Sequence, residues 1–414
     1  MKPLLLNTYE NFGGAAIATN RLHKGLCSIG LDSQLLVQAK QTDDYTVIGQ
    51  PTKWRKALAR YRPDLDGIPT KLYRQREKGL FSSAWLPENL GSTVAKIDPD
   101  IVHLFWVNSG FMKIETLKSF QRPIVWTLHD MWPFTGGCHY DEECGKFRQS
   151  CGNCPILHSG REQDLSRRIL LRKLNAWKEV PIVVVATSHW LADMARASSL
   201  FKSQRIEVIP NGLDTEKYKP VDKQVARSVY NLPQNKHLIL FSAFSATSDK
   251  RKGNQFLVPA IEKLTKEGWA DQAELVIVGA SRPANPPDFG MKVHYMGYLQ
   301  DEISQVLLYS AADVVVAPSM QENLSNAVME SLSCGTPVVA FGIGGMPDMI
   351  DHQKNGYLAK PFEFSDLANG IMWVLENQNR HDELSKCARE TVVERYALKS
   401  VANRYAALYH DVLN

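Results

Sequence analysis

The sequence lacks a hydrophobic run that could cross a membrane. The longest unbroken apolar stretch near its middle covers residues 182–186, whereas a membrane-spanning helix needs roughly 20 apolar residues. The short apolar run at residues 4–6 is interrupted at once by Asn7, which is unlike the apolar core of a signal peptide. We therefore expect a cytoplasmic protein.

The sequence also has little net charge and few cysteines for its length. Its 48 Lys and Arg residues against 44 Asp and Glu residues give a formal charge of +4, which is too small for 414 residues to indicate a nucleic-acid partner. With 44% hydrophobic and 22% charged residues, the composition excludes disordered, collagen-like and disulfide-scaffold proteins. The length allows two or three domains.

Short β-branched runs alternate with longer amphipathic stretches along nearly the whole chain. Most of these runs are apolar throughout, which is typical of parallel strands that helices cover on both faces. The predicted strands are 101–106, 124–128, 182–187, 238–242, 275–278, 314–317 and 338–341. This alternation predicts an α/β fold with doubly wound sheets.

The runs form two blocks, which are separated by Pro and Asn-Gly turn chemistry in residues 209–214. Because seven or more parallel strands and their helices exceed one comfortable core, two domains are favoured over a single large sheet. We predict a first domain over 1–210 and a second over 211–395. A last helix over 396–414 could pack on either of them.

Residues 53–78 are locally basic, with Trp54, Leu58 and Tyr61 interleaved among the charges. The basic residues are Lys53, Arg55, Lys56, Arg60, Arg62, Lys71, Arg74, Arg76 and Lys78, against Asp64, Asp66 and Glu77. Two interpretations remain open at this point. The segment is either a solvated face, or a contact for an anionic membrane surface or an anionic acceptor.

Residues 314–350 combine a strand, a polar loop, a helix and a glycine-rich turn in an order that suits phosphate binding. The helix ends at Gly335, which Thr-Pro follows. The free N–H groups and the positive end of such a helix lie at the carboxyl edge of the strand, where ligands bind in open α/β sheets.

Two acidic residues flank this predicted phosphate site, Glu322 in the loop and Glu330 in the helix. Carboxylates beside a phosphate would repel it unless they accept hydrogen bonds from sugar hydroxyls. A nucleotide sugar satisfies both requirements. The alternative interpretation is that neither residue binds a ligand: Glu322 is then a surface acid, and Glu330 lies on the flank of the helix.

The two glutamates stand in an E-x7-E arrangement within residues 318–331, and the motif continues through 335–340 and 344–348. This pattern resembles the donor-site signature of family 4 glycosyltransferases, which have the GT-B fold of two Rossmann-like domains facing a cleft. Further family-like stretches are 100–106, 127–130 and 209–214. The resemblance therefore covers most of the chain.

The resemblance implies an enzyme that transfers a sugar from a UDP- or GDP-linked donor with retention of configuration and without a metal cofactor. The acceptor would be a hydroxyl of a saccharide or a lipid-linked saccharide. The sequence is similar to bacterial exopolysaccharide and colanic-acid-type glycosyltransferases, so the resemblance implies action in the cytoplasm or at the inner face of the cell membrane.

The family pattern also implies roles for residues of the second domain. Glu330 would bind the ribose hydroxyls of the nucleotide, and Glu322 would bind hydroxyls of the donor sugar. The backbone N–H groups of Asn323, Leu324 and Ser325 would reach the sugar and the phosphate.

A metal-free transfer must stabilise the departing diphosphate with fixed cations or helix N-termini. Lys252, directly before Gly253, matches the diphosphate-binding lysine of the family. Many relatives carry an Arg after a Gly at the end of the preceding strand, where this chain has Ser-Ala-Phe at 242–244. We expect Arg251 to take over part of that role, and a solvated turn is the alternative.

In the first domain, Gly13 and Gly14 match a loop that faces the diphosphate and the acceptor across the cleft in relatives. His129 matches the active-site histidine that touches the donor sugar. No protein nucleophile is expected, because the leaving phosphate oxygen can accept the proton of the acceptor. The alternatives are that Gly13 and Gly14 form an ordinary turn and that His129 has only a structural role.

Four of the seven cysteines lie in one short stretch, as Cys138, Cys144, Cys151 and Cys154. Four thiolates can close a tetrahedral structural zinc site, which would brace a loop and perform no chemistry. Free thiols are the alternative, since disulfides are disfavoured in the cytosol.

Two other classes of function remain open. One is a nucleotide-sugar epimerase or hydrolase of the same architecture. The other is a dinucleotide-dependent oxidoreductase, against which the glycines at 342–345 do not complete a G-x-G-x-x-G pattern, because residue 347 is proline.

Overall fold

The chain is organised around two separate parallel sheets, each interleaved with helices. The computed structural model describes residues 1–77, 79–242, 249–299 and 301–414. Cα proximity divides the chain into a first unit, Met1–Asn211 with Val401–Asn414, and a second unit, Gly212–Ser400. The predicted α/β class with doubly wound parallel sheets is confirmed.

The sheet of the first unit is parallel throughout and most of its strands are buried. Its strands are β1 (Pro3–Tyr9), β2 (Gln34–Ala39), β3 (Val47–Ile48), β4 (Ile101–Leu104), β5 (Ile124–Leu128), β6 (Ile182–Ala186) and β7 (Arg205–Val208). Their order in space is β3-β2-β1-β4-β5-β6-β7. The strand order therefore reverses between β1 and β4, the kind of position where doubly wound sheets bind ligands.

Helices cover both faces of this sheet, and polar side chains mark where several of them begin. The helices are α1 (Gly14–Ser28), α2 (Lys53–Asp66), α3 (Leu90–Ile97), α4 (Leu165–Trp177) and α5 (His189–Ala197). Thr52, Asp164 and Ser188 each accept a hydrogen bond from the backbone N–H three residues on. Such side chains satisfy N–H groups that have no partner within the helix.

The second unit repeats the plan with another parallel sheet. Its strands are β8 (His237–Ser242), β9 (Ala273–Val278), β10 (Val293–Tyr295), β11 (Val314–Ala317), β12 (Val338–Phe341) and β13 (Gly356–Ala359). Their order is β10-β9-β8-β11-β12-β13. The helices are α6 (Lys223–Val229), α7 (Asn254–Leu264), α8 (Glu302–Ala311), α9 (Asn326–Ser333), α10 (Met346–Met349), α11 (Phe364–Leu375) and α12 (Gln378–Tyr396).

A buried carboxylate ties α6 to this second sheet. Asp313 accepts hydrogen bonds from Arg227 at 2.6 Å, from Lys223 at 2.7 Å and from the N–H of Leu238 at 2.7 Å. Burial would raise the pKa of Asp313, but the two cations outweigh it and hold the pKa below its usual value. The carboxylate is therefore charged and fully paired, as a buried ion must be.

The last helix, α13 (Leu398–Leu413), carries most of the C-terminal segment that packs in the first unit. Its hydroxyl groups reach the sheet: Tyr409 lies 2.6 Å from Nδ1 of His103, and Tyr405 lies 2.9 Å from Oγ1 of Thr127. Nε2 of His103 lies 2.8 Å from the same Thr127 oxygen. Burial lowers the pKa of His103 well below its usual value, so this polar network is neutral.

Candidate functional site

The candidate site of the second unit lies at the carboxyl ends of three neighbouring strands, β8, β11 and β12. The chain leaves β11 through the polar loop predicted from the sequence and enters α9, and it leaves β12 through Gly342 and enters α10. Residues 243–248, which follow β8 and include part of the Ser-Ala-Phe departure from the family pattern, lie outside the described residues.

The start of α9 is fixed from both sides. Ser325 caps the helix by accepting a hydrogen bond from the N–H of Val328 at 3.4 Å. Leu324 belongs to the hydrophobic core of the unit, and Asn323 is also buried. These three residues therefore hold the predicted phosphate-binding backbone directly before a helix N-terminus, where the helix dipole favours an anion.

An ion pair joins two residues that the sequence analysis assigned to different parts of the donor. Nζ of Lys252 lies 2.7 Å from Oε2 of Glu322. Both side chains are mostly buried, with 24% and 13% of their surface exposed. The structure thus brings the predicted leaving-group cation into direct contact with the predicted sugar-binding acid.

Backbone packing at two glycines fixes where this pair sits. A Cβ on Gly253 would lie 1.7 Å from the carbonyl oxygen of Pro318, and a Cβ on Gly344 would lie 2.0 Å from that of Glu322. The N–H of Gly345 donates to the same Glu322 oxygen at 3.1 Å. Only glycine permits approaches this close, so three loops are held together around Glu322.

Glu330 is buried on α9 and receives a hydrogen bond from a neighbouring helix. The hydroxyl of Tyr309, on α8, lies 3.2 Å from its Oε2, and 5% of the residue is exposed. Burial and the nearby Glu330 charge raise the pKa of Tyr309 well above its usual value. Tyr309 therefore stays protonated and donates, which orients the carboxylate.

Arg251 lies in the same turn as Lys252, but its guanidinium contacts a different carboxylate. Its Nη2 lies 2.8 Å from Oδ2 of Asp249, and its N–H donates to Oδ1 of that residue at 3.0 Å. Its backbone carbonyl accepts from the N–H of Met320 at 2.7 Å. The backbone of Arg251 thus helps to hold the loop after β11, and the leaving-group role of its side chain stays a prediction.

In the first unit, Gly13 and Gly14 lie between β1 and α1, at the carboxyl end of a central strand. Gly13 has φ of 85° and is the residue directly before α1, and a Cβ there would meet nothing within 4 Å. The backbone conformation alone therefore requires glycine at position 13. This placement agrees with a loop open to a ligand, and the role of the two glycines stays a prediction.

His129 directly follows β5, beside a polar cluster that sequence reasoning did not single out. Burial lowers the pKa of His129 to about 4, so this ring is neutral at pH 7. Oδ2 of its neighbour Asp130 accepts from Nδ1 of His139 at 2.6 Å and from the indole of Trp106 at 2.9 Å. Nε2 of His139 in turn lies 3.0 Å from the hydroxyl of Ser82.

The Asp130 cluster is held in its charged form. Burial opposes ionisation, but the His139 contact and the backbone N–H of Trp132 keep the pKa of Asp130 below its usual value. Asp130 itself belongs to the family-like stretch 127–130 of the sequence. Its contact with His139 was not visible in the sequence, because that residue returns to the strand end only after a Gly-Gly loop.

The four clustered cysteines are free thiols in the structure. Cys138, Cys151 and Cys154 are buried and Cys144 is half-buried, and burial raises the pKa of each thiol, that of Cys151 to about 12. Across the described ranges, no group of three or more His, Cys, Asp or Glu side chains is arranged to hold a metal ion. As placed, the thiols do not fit zinc, and the zinc site stays a prediction.

A fully buried lysine lies close to Cys138 and Cys151. Nζ of Lys173 donates to the carbonyl oxygens of Trp132 and Thr135, and it lies 3.7 Å from the centre of the Trp132 ring. Burial lowers the pKa of Lys173 to about 7. Carbonyl oxygens and an aromatic face are the groups that stabilise an ammonium without a carboxylate.

Comparison with known proteins agrees with the family that the sequence motifs resemble. A family model described as glycosyltransferase family 4 matches residues 12–217, and one described as glycosyl transferases group 1 matches residues 236–377. N-acetyl-alpha-D-glucosaminyl L-malate synthase from Bacillus anthracis is 27% identical over 245 residues. That alignment covers 56% of this chain and 60% of the relative, so the chain spans less than two thirds of it.

Two solved structures show the fold over the whole chain. Sucrose-phosphate synthase from Thermosynechococcus elongatus has a TM-score of 0.72 at 20% identity, covering 100% of this chain and 99% of that structure. HepE from Anabaena in complex with UDP-glucose has a TM-score of 0.62 at 18% identity, covering 99% and 100%.

The family models, the two parallel sheets and the likeness of fold define the class of the protein, a glycosyltransferase with the GT-B fold. More particularly, the chain belongs to glycosyltransferase family 4. The family and the fold expected from the E-x7-E motif are confirmed.

Replacing Gly344 with alanine tests the packing around Glu322. We expect Gly344→Ala to lower the free energy of unfolding by about 1–3 kcal/mol more than Gly268→Ala does, because the added Cβ collides with backbone. Gly268 is the matched control, since it also has positive φ but open space around it. If urea-induced unfolding gives the same loss of free energy for Gly344→Ala and Gly268→Ala, the close contact is relaxed in solution.

The zinc prediction is tested by elemental analysis of the purified chain. Four thiolate ligands predict one zinc per chain and a fall in stability after chelation. Protein that contains no zinc, and whose unfolding does not respond to chelator, would contradict it. If zinc is found, its loss in Cys144→Ser/Cys154→Ser but not in Cys387→Ser, outside the cluster, would assign it to these thiols.

Proposed function

We propose that this glycosyltransferase transfers a sugar from a nucleoside-diphosphate donor to an acceptor hydroxyl with retention of configuration and without a metal. The observation that carries the proposal is the Lys252–Glu322 ion pair at 2.7 Å, fixed in front of the α9 N-terminus. UDP-glucose, with which HepE was solved, is the donor we propose to test first.

The donor is bound by two carboxylates and one helix end. Glu330 accepts hydrogen bonds from the ribose hydroxyls, and Glu322 accepts hydrogen bonds from hydroxyls of the transferred sugar. The N–H groups of Asn323, Leu324 and Ser325 meet the phosphates at the positive end of α9. Each carboxylate is already oriented by a donor of its own, Tyr309 or Lys252, so little ordering remains to be done on binding.

The reaction replaces one bond at the anomeric carbon by another on the same face of the sugar. The bond between that carbon and the phosphate oxygen breaks, and the nucleoside diphosphate leaves with the electron pair. The acceptor oxygen bonds to the carbon, and its proton passes to the departing phosphate oxygen. Lys252 supplies positive charge where the negative charge develops, as transition-state stabilisation requires.

The neutral His129 ring fits a role that does not require proton transfer. With a pKa of about 4, it is not charged near pH 7 and can exchange neutral hydrogen bonds with a donor-sugar hydroxyl. We propose it as a positioning contact, together with the Gly13-Gly14 loop on the same unit. Arg251 is proposed to add positive charge near Lys252.

The acceptor is proposed to be a saccharide or a lipid-linked saccharide of a bacterial surface polysaccharide. The support for this part is the similarity of the motifs to exopolysaccharide and colanic-acid-type glycosyltransferases, since no described side chain identifies the acceptor. Screening such acceptors with a radiolabelled donor tests it directly. Release of UDP without any acceptor would favour a hydrolase.

Substitution of Lys252 tests the leaving-group role. We expect Lys252→Ala to lower kcat by about a hundredfold or more, as the loss of one transition-state donor typically does. Lys250→Ala is the matched control, because that lysine lies in the same turn, and it should stay within a few-fold of wild type. A Lys252→Ala enzyme with nearly unchanged turnover would contradict the role, and an inverted product anomer by NMR would contradict retention.

Substitution of Glu330 and of its donor Tyr309 tests the ribose contact. Glu330→Ala should weaken UDP binding by roughly ten- to a hundredfold, because charge-assisted hydrogen bonds are lost. Tyr309→Phe should weaken it by up to about tenfold, since the carboxylate remains but loses its orientation. Tyr230→Phe is the control, because it removes a hydroxyl that donates to the carbonyl oxygen of Ser304, which lies on α8 like Tyr309. We expect calorimetry to show an unchanged affinity for UDP.

If Tyr309→Phe and Tyr230→Phe both bind UDP like the wild type, Tyr309 has only a structural role. If Glu330→Ala also binds normally, the nucleotide lies elsewhere.

A further inference from the structure

Helix α2 of the first unit turns large apolar side chains outward. Trp54, Leu58, Tyr61 and Leu65 follow one another at spacings of four, three and four, so they lie on one face of the helix. Their exposed fractions are 82%, 46%, 64% and 37%. We call these four residues the apolar stripe. Such a stripe in a globular protein normally faces the core, and here it does not.

The rest of the helix shows that the outward orientation is a consequence of how α2 packs. Ala59 and Asp66, on another side of α2, are the buried residues of the helix. Arg62 anchors it by donating to the carbonyl oxygens of Gly110 at 2.6 Å and Pro87 at 2.8 Å. The contacts with the unit are therefore made away from the apolar stripe.

Further exposed apolar side chains follow α2 in the sequence. Ile68 and Leu72 are 44% and 85% exposed, and Leu80 is 57% exposed. A concentration of exposed apolar side chains in one segment marks an interaction site more often than scattered single residues do.

Basic side chains accompany the apolar stripe. Lys53 and Arg60 are exposed and lie to one side of it, Arg55 is exposed near the other side, and Lys56 is exposed on the opposite face of the helix. Residues 53–77 hold eight Lys and Arg against three Asp and Glu, a surplus of five positive charges. The whole chain carries only +4, so positive charge is concentrated around α2.

This chemistry selects one kind of occupant. Aromatic and aliphatic side chains flanked by Lys and Arg match the interface of an anionic bilayer, where the rings lie at the headgroups and the cations meet lipid phosphates. A second copy fits less well, because a two-fold contact places the same surface on both partners and would bring the two basic segments together. No helix in the described part of the chain could span a membrane, so contact would be along the surface.

We propose that α2 is an in-plane membrane anchor, which inserts the apolar stripe into the headgroup region of an anionic bilayer and places Lys53, Arg55 and Arg60 against lipid phosphates. The proposal does not depend on the donor or the acceptor of the transfer reaction.

Vesicle co-sedimentation of the full chain tests the anchor. We expect binding to vesicles of phosphatidylglycerol and phosphatidylcholine, little binding to phosphatidylcholine alone, and release by salt. Trp54→Ser/Leu58→Ser/Tyr61→Ser should lower the partition coefficient at least tenfold, and so should Lys53→Gln/Arg55→Gln/Arg60→Gln.

The matched control is Val225→Ser/Val229→Ser, which removes two exposed apolar side chains of α6 in the second unit, 55% and 56% exposed. It should bind vesicles like the wild type. Unchanged thermal unfolding and UDP affinity in all variants would show that the fold is intact.

Four results would overturn the proposal. The first is no binding to anionic vesicles, and the second is equal binding by the wild type and both α2 variants. The third is a concentration-dependent dimer in gel filtration that the apolar-stripe variant abolishes, which would assign the surface to a second copy. Retention on an acidic protein in place of vesicles, lost in the same variants, would assign it to a protein partner.

Discussion

The carbonyl oxygen of Glu322 is the point on which the site of the second unit depends. The N–H of Gly345 donates to it, and Gly344 leaves no room for a side chain beside it. On the other side, Gly253 packs against the carbonyl of Pro318 in the same loop. Backbone therefore meets backbone where the loops after β11 and β12 and the turn before α7 converge, so Lys252 and Glu322 have little freedom to separate.

This constraint bears on the proposed donor site, because it explains how acidic side chains would serve a site for an anionic donor. Glu322 is neutralised by Lys252, and Glu330 is buried beside the Tyr309 hydroxyl. In the proposed site, each carboxylate keeps oxygen lone pairs for sugar hydroxyls while its charge is partly compensated. The N-terminus of α9 lies between the two glutamates in the sequence, and its helix dipole favours a phosphate there.

The strands differ in how far the sequence predicts them. The predicted strands 124–128, 314–317 and 338–341 coincide with β5, β11 and β12, because buried parallel strands are apolar throughout. The strands β7 and β10 were not predicted, since they are short and partly exposed and so show no apolar run. The strands β1, β2, β3 and β13 were also absent from the prediction. The predicted strand 101–106 ends at Leu104 in the structure, because apolar residues continue into the loop.

The family, the fold class and the E-x7-E spacing of Glu322 and Glu330 follow from the sequence by itself, because motif spacing and apolar runs are local properties. Tertiary structure decided that Lys252 meets Glu322 across 70 positions, that Tyr309 meets Glu330, and that α13 lies on the first unit through His103. It also decided that α2 turns its apolar stripe outward. Periodicity shows which residues share a face, but only the packing of distant segments determines whether that face meets the core or the solvent.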